Sequence, residues 1–144
     1  MIHRSLVAIL FVVAAWAGGL GETVAATPLF TGKWELTTCQ DLNRTGCQTV
    51  CYIFTRTPGT VSGSNSSGTW HDPGPAAFDG KWLQLGDRLL IWGSNPGGLA
   101  SAAFFRGSLV SSTIINGDSY VAFVLPNGIA ITGNWSGKKV GSCV

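Results

Sequence analysis

Few side chains in this sequence are equipped for acid–base or nucleophilic chemistry. Of its two histidines, His3 lies at the extreme N-terminus and only His71 falls in the body of the chain. Histidine is the commonest general acid–base group, and the nearest partner for His71 is its neighbour Asp72. Adjacent residues of a strand face opposite ways, so the two would not orient one another. His71 therefore reads as a surface residue beside the loop that begins at Pro73. Asp72, Asp79 and Asp87 are the residues from which a glycosidase-type carboxylate pair would be drawn. Each adjoins a proline or glycine, however, which is where turns place aspartate. Residues 93–98 are rich in glycine, but no lysine follows and no helix opens, so an ordinary loop is expected rather than a phosphate cradle. No catalytic residue, metal site or cofactor is expected.

The cysteines carry more information. Cys39, Cys47, Cys51 and Cys143 are the four in the chain, an even number that allows two disulfides in three connectivities. A zinc site would need a closer pairing of ligands than Cys39-x7-Cys47-x3-Cys51. We favour Cys39–Cys47 closing a hairpin loop and Cys51–Cys143 tying down the C-terminus, with Cys39–Cys51 and Cys47–Cys143 as the alternative. Disulfides imply an oxidising compartment, and the N-terminus agrees. Arg4 provides a positive start, residues 5–20 are almost wholly apolar, and Val24, Ala25 and Ala26 form a small-residue cleavage site. Residues 1–26 read as a secretory signal, too short in its apolar run for a bilayer span of about 20 residues. What remains, 27–144, is long enough for one domain.

Aromatic residues are the strongest candidates for binding. Trp34, Trp70, Trp82, Trp92 and Trp135 lie in the 27–144 segment with six phenylalanines and two tyrosines. Ligand pockets are mostly apolar and aromatic, but small barrels also fill themselves with their own side chains. Trp34 and Trp135, on the first and last strands, are expected to be core plugs. Trp70 and Trp92 each adjoin a long loop, and with Tyr52 they form the candidate ligand site at a rim.

The elements that must position these residues are strands. No segment keeps a helical period; short runs rich in β-branched and aromatic residues alternate with turn signals. Residues 32–39 alternate from Trp34 to Leu36, and 49–55 form a second run. Residues 60–64 and 67–71 make a weak polar pair around Asn65. Runs 81–85 and 88–92 flank Gly86-Asp87, and 108–115 and 119–125 flank Asn116-Gly117, both compact hairpin signals. A run over 99–106 and a last one over 129–135 complete eight to ten strands. Parallel pairing needs long crossovers that are absent here. The fold expected is all-β: an antiparallel up-and-down closed β-barrel of about eight strands, with a β-sandwich as the alternative, because closure removes edge strands. Most runs are shorter than the 9–11 residues of a membrane-spanning strand. Gly-x-Trp recurs at Gly32, Gly68, Gly80 and Gly133, where glycine relieves crowding and tryptophan fills the space beside it. Eight basic against six acidic residues in 27–144, evenly spread, do not form a nucleic-acid surface. Asn43-Arg44-Thr45, Asn65-Ser66-Ser67 and Asn134-Trp135-Ser136 match the glycosylation acceptor pattern.

The opening Phe30-Thr31-Gly32-Lys33-Trp34-Glu35-Leu36 resembles the first strand of calycins, the group of small exported barrels that includes lipocalins and avidins. That likeness implies a secreted or periplasmic binder of a small apolar ligand, a glycan or a partner protein at the barrel mouth. No avidin ligand residue carries over onto residues 37–40. The chain is also similar in part to bacterial barrel-type inhibitors of secreted metalloproteases. The shared features are Gly32 to Leu36, Cys39, Asp79-Gly80, Leu83-x-Leu85 and Ala103-Phe104-Phe105. Unlike them, it has four cysteines and an extra C-terminal hairpin. This second likeness implies a protease partner and an N-terminal arm, residues 27–30, that enters its cleft.

Overall fold

The computed structural model describes residues 27–39, 46–75, 77–95, 101–124 and 129–143. Residues 1–26, read as a signal, lie outside them, as does the acceptor pattern at Asn43. Eight strands follow in order: β1 (Gly32–Cys39), β2 (Cys47–Arg56), β3 (Ser66–His71), β4 (Asp79–Leu85), β5 (Arg88–Ser94), β6 (Ser101–Leu109), β7 (Ile114–Val124) and β8 (Ile129–Val140). Each pairs antiparallel with the next, and β1 pairs with β8, so the sheet closes into an up-and-down barrel. The weak run expected over 60–64 is not a strand; Ser62 and Asn65 form an isolated bridge in the β2–β3 connection.

The inner face is built from large side chains set over glycines of neighbouring strands. On β3 and β4 the two Gly-x-Trp motifs cross-pair, Gly68 opposite Trp82 and Trp70 opposite Gly80. A Cβ on Gly68 would stand 2.7 Å from Trp82 Nε1, and one on Gly80 would stand 2.8 Å from Trp70 Nε1. Gly107 and Gly117 likewise make room for Trp135. The tryptophan thus fills the space left by the partner strand's glycine, a large–small alternation suited to a narrow barrel. Each inward-facing indole N–H finds a main-chain carbonyl: Trp34 donates to Thr31, Trp70 to Trp92, Trp82 to Thr55 and Thr69, and Trp135 to Arg106. Trp34 and Trp135 are both buried in the core, as plugs should be.

Asn116-Gly117 is not the β6–β7 turn. Both residues lie inside β7, and residues 110–113 make the turn instead, with Val110 N–H donating to Ile114 O (3.0 Å). The glycine there is required by packing: the Trp135 ring sits where its Cβ would be. Pairing jumps from Arg106–Ser119 to Gly107–Gly117, so Asp118 is the extra residue of a bulge. Its carboxylate reaches Arg88 at 3.3 Å and Arg106 at 3.7 Å on the outside.

The two ends of the barrel differ. At the end where β1 begins, Phe30 is fully buried and packs on Trp34, Phe54 and Trp82, with centroids 5.0, 4.4 and 5.4 Å away. Gln84, also fully buried, holds this segment in place. Its Oε1 accepts from Phe30 N–H and the Ser66 hydroxyl, and its Nε2 donates to Pro28 O and Gly86 O. All four bonds are internal, so losing this amide would orphan several buried groups at about 1–3 kcal/mol each. Phe30 is therefore the floor of the barrel, and within residues 27–30, the arm expected from the inhibitor likeness, Pro28 and Phe30 are bonded to Gln84.

Both disulfides take the favoured connectivity, Cys39–Cys47 and Cys51–Cys143. The first closes the β1–β2 loop. The second carries the tail from β8 past β1 to β2, across the seam where the first and last strands meet.

Candidate functional site

The end opposite the Phe30 floor holds a cavity of about 210 Å3. Alternation along the strands decides which side chains enter it. On β2, Gln48, Val50 and Tyr52 face inward while Cys51 faces out to its disulfide. On β6, Ala103 and Phe105 face inward, and on β7, Tyr120 and Ala122. Two aromatic pairs make the walls: Tyr52 against Trp70 (4.9 Å, near-perpendicular) and Phe105 against Tyr120 (5.0 Å). Phe105 also packs on Trp135 beneath it (5.4 Å). The alanines opposite these rings leave the volume open, where a larger residue would fill it.

The β3–β4 loop supplies the remaining wall with Asp72 and Phe78. Asp72 N–H donates to Phe78 O at 2.7 Å, and its carboxylate Oδ1 accepts from Gly74 N–H at 2.7 Å, an Asx turn that fixes the side chain. Ala77, just before Phe78, holds φ at 50°, a left-handed conformation that costs a non-glycine residue about 1 kcal/mol.

Polar groups at this site are few, and the two phenols are unspent. Among the described residues neither tyrosine hydroxyl has a hydrogen-bond partner, and no buried side-chain polar atom is left orphaned. The hydroxyls are therefore exposed to the cavity. Burial pushes the Tyr52 phenol well above its ordinary range, with the negative charge of Asp72 and then Tyr120 adding to the effect. Burial alone raises Tyr120. Both are neutral hydroxyls, able to donate one hydrogen bond and accept others.

Two of the three expected site residues meet here, Tyr52 and Trp70. Trp70 is only 2% exposed and forms wall rather than rim. Trp92 is elsewhere: β5 alternates Leu89 and Ile91 inward with Leu90 and Trp92 outward, leaving Trp92 37% exposed on the outer face. Loop proximity suggested a rim position, but strand parity decides the face. Only its carbonyl touches the site, by accepting the Trp70 N–H at 3.1 Å. Its ring belongs to a more open outer groove of about 360 Å3 with Leu90, Phe104 and Val121. That groove lacks convergent polar groups; Arg106 and Ser119 belong to its lining and Arg106 is already paired with Asp118. Phe78, Phe105, Tyr120 and Asp72 were not expected as ligand contacts. For Phe105 and Tyr120 the signal is the spacing of Ala103 with Phe105 and of Tyr120 with Ala122, small and aromatic residues two apart on one face.

No family model, curated protein or solved structure matches this chain. The site must be interpreted from its own geometry. Among the described residues no group of three metal-ligating side chains comes together, and no helix is long and apolar enough to cross a membrane.

Proposed function

We propose that this is a secreted or periplasmic, calycin-like binding protein that takes one small aromatic molecule into the open end of its barrel. The observation that carries the reading is the contrast between the ends: one filled by Phe30, the other a cavity with five aromatic residues in its lining and two unpartnered phenols. Pockets for drug-sized ligands run to about 300–1,000 Å3, and a cavity of about 150 Å3 accepts benzene. At about 210 Å3 this one suits one or two rings, and neither a long acyl chain nor a tetrapyrrole. Two disulfides support an oxidising compartment. The outer face carries Lys81, Arg88 and Arg106 among its strands, which opposes contact with lipid. A protease inhibitor acting through residues 27–30 gains no support, since Gln84 bonds Pro28 and Phe30 and the Phe30 ring is buried.

Titration with indole and naphthalene-sized probes, followed by tryptophan fluorescence, tests the reading. Saturable quenching is expected in the protein and in Trp92→Phe, whose replaced ring lies outside. Ala122→Phe, which fills the cavity, is expected to abolish it while the barrel stays folded. Absence of saturable binding, or binding that survives Ala122→Phe, would overturn the proposal.

A further inference from the structure

The mouth has a charge character that its apolar walls conceal. Among the described residues Asp72 is the one charged side chain in the cavity lining; no described lysine, arginine or histidine shares it. Among the described residues the ion pairs are those of Asp118 with Arg88 and Arg106, both on the outer face, and Asp72 has no basic partner. The carboxylate is nonetheless held in place, since Gly74 N–H occupies one oxygen and the Asp72–Phe78 main-chain bond closes the loop. Sharing the lining with it are the rings of Tyr52, Trp70, Phe78, Phe105 and Tyr120. Aromatic faces carry negative potential and attract cations, more strongly when water is excluded. Rings and carboxylate therefore favour the same sign of charge.

Resting on the small-molecule reading above, we propose that the ligand is an organic cation: an arylalkylammonium whose ring enters among the aromatics while its ammonium sits against Asp72. The free oxygen of Asp72 and the unpartnered phenol hydroxyls of Tyr52 and Tyr120 supply acceptors for its N–H groups. Other charge classes fit worse. A carboxylate or phosphate ligand would meet Asp72 and find no positive group to pair with among the described residues. A neutral arene would stack equally well but would strip water from Asp72 without replacing it, and burying an unpaired charge is unfavourable. A divalent metal would find one carboxylate where such ions take six or more oxygens. The field of Asp72 already reaches the cavity, because it contributes to raising the Tyr52 phenol.

A charge series on one skeleton tests this: 2-phenylethylammonium, 2-phenylethanol and phenylacetate, titrated into the protein by calorimetry. The cation is expected to bind at least about tenfold more tightly than the alcohol, and phenylacetate more weakly than either. Asp72→Asn keeps the acceptor for Gly74 N–H, so the loop should fold. It is expected to remove the cation's advantage, and to tighten the alcohol's binding slightly, because the alcohol then strips water from no charge. Equal binding of cation and alcohol, or a preference that survives Asp72→Asn, would overturn the cation proposal and leave the aromatic pocket standing. Failure of all three compounds to bind would remove both. Added salt should weaken the cation's binding and spare the alcohol's.

Discussion

At the scale of single residues, the two tyrosines make the cavity measurable. Tyr52 and Tyr120 are the only tyrosines in the chain, and both line the mouth. Burial raises both phenols above their ordinary value near 10. Any tyrosinate absorbance therefore reports on the pocket alone. In an alkaline titration followed at about 295 nm, the folded protein should develop its signal above the ordinary tyrosine range, and the denatured chain within it. The sign of the linkage follows. With folded values above unfolded ones, the unfolded chain sheds protons first, so stability attributable to the phenols is fully present below about pH 10 and falls as pH rises beyond it. Asp72→Asn removes one of the causes acting on Tyr52 and should bring its titration partly back, without moving Tyr120. Two tyrosines titrating at the ordinary value in the folded protein would show a mouth open to bulk water.

At the scale of the strand pair, stability depends on glycine lying opposite tryptophan. A Cβ on Gly68 would run into the Thr55 carbonyl and Trp82, so both backbone and core would have to move. Gly68→Ala is expected to cost about 2–3 kcal/mol, in the range of overpacked cores. Gly141→Ala, where a Cβ meets nothing within 4 Å, should change stability by less than about 0.5 kcal/mol. Thermal melts of the two variants check the contrast. The same pairing explains what could be read from the chain and what could not. Alternation from Trp34 to Leu36, the Gly86-Asp87 turn and the lack of crossovers were enough for a closed antiparallel meander. Asn116-Gly117 misled, because a glycine needed under the Trp135 ring has the same spelling as one needed for a turn. The rim position expected for Trp92 rests on a neighbouring loop, which says nothing about strand parity, whereas Leu89 and Ile91 inward fix Trp92 outward. Tyr120 and Phe105 meet through the β6–β7 register, which a bulge at Asp118 shifts. That bulge has no signature of its own in the sequence.

At the scale of the whole molecule, the two disulfides are unequal. Cys39 and Cys47 are 8 apart in sequence and Cys51 and Cys143 are 92 apart. Loop-closure entropy assigns about 2–3 kcal/mol to the first and about 4–5 kcal/mol to the second. Cys51→Ser with Cys143→Ser should therefore lower the denaturation midpoint well beyond Cys39→Ser with Cys47→Ser, as read by guanidinium unfolding. Equal losses would mean that the seam between β1 and β8 holds by its ladder alone.

The same long bridge has a topological consequence. It joins β2 to the tail, so everything from Cys51 to Cys143 lies on one covalent ring that contains most of the barrel. A protease that cuts once in any loop on that ring opens it without releasing a piece. The nicked molecule keeps its mass and both halves of its sheet until a reductant arrives. A first cut would be survivable, and the visible mark of it would be two bands that appear only on a reducing gel.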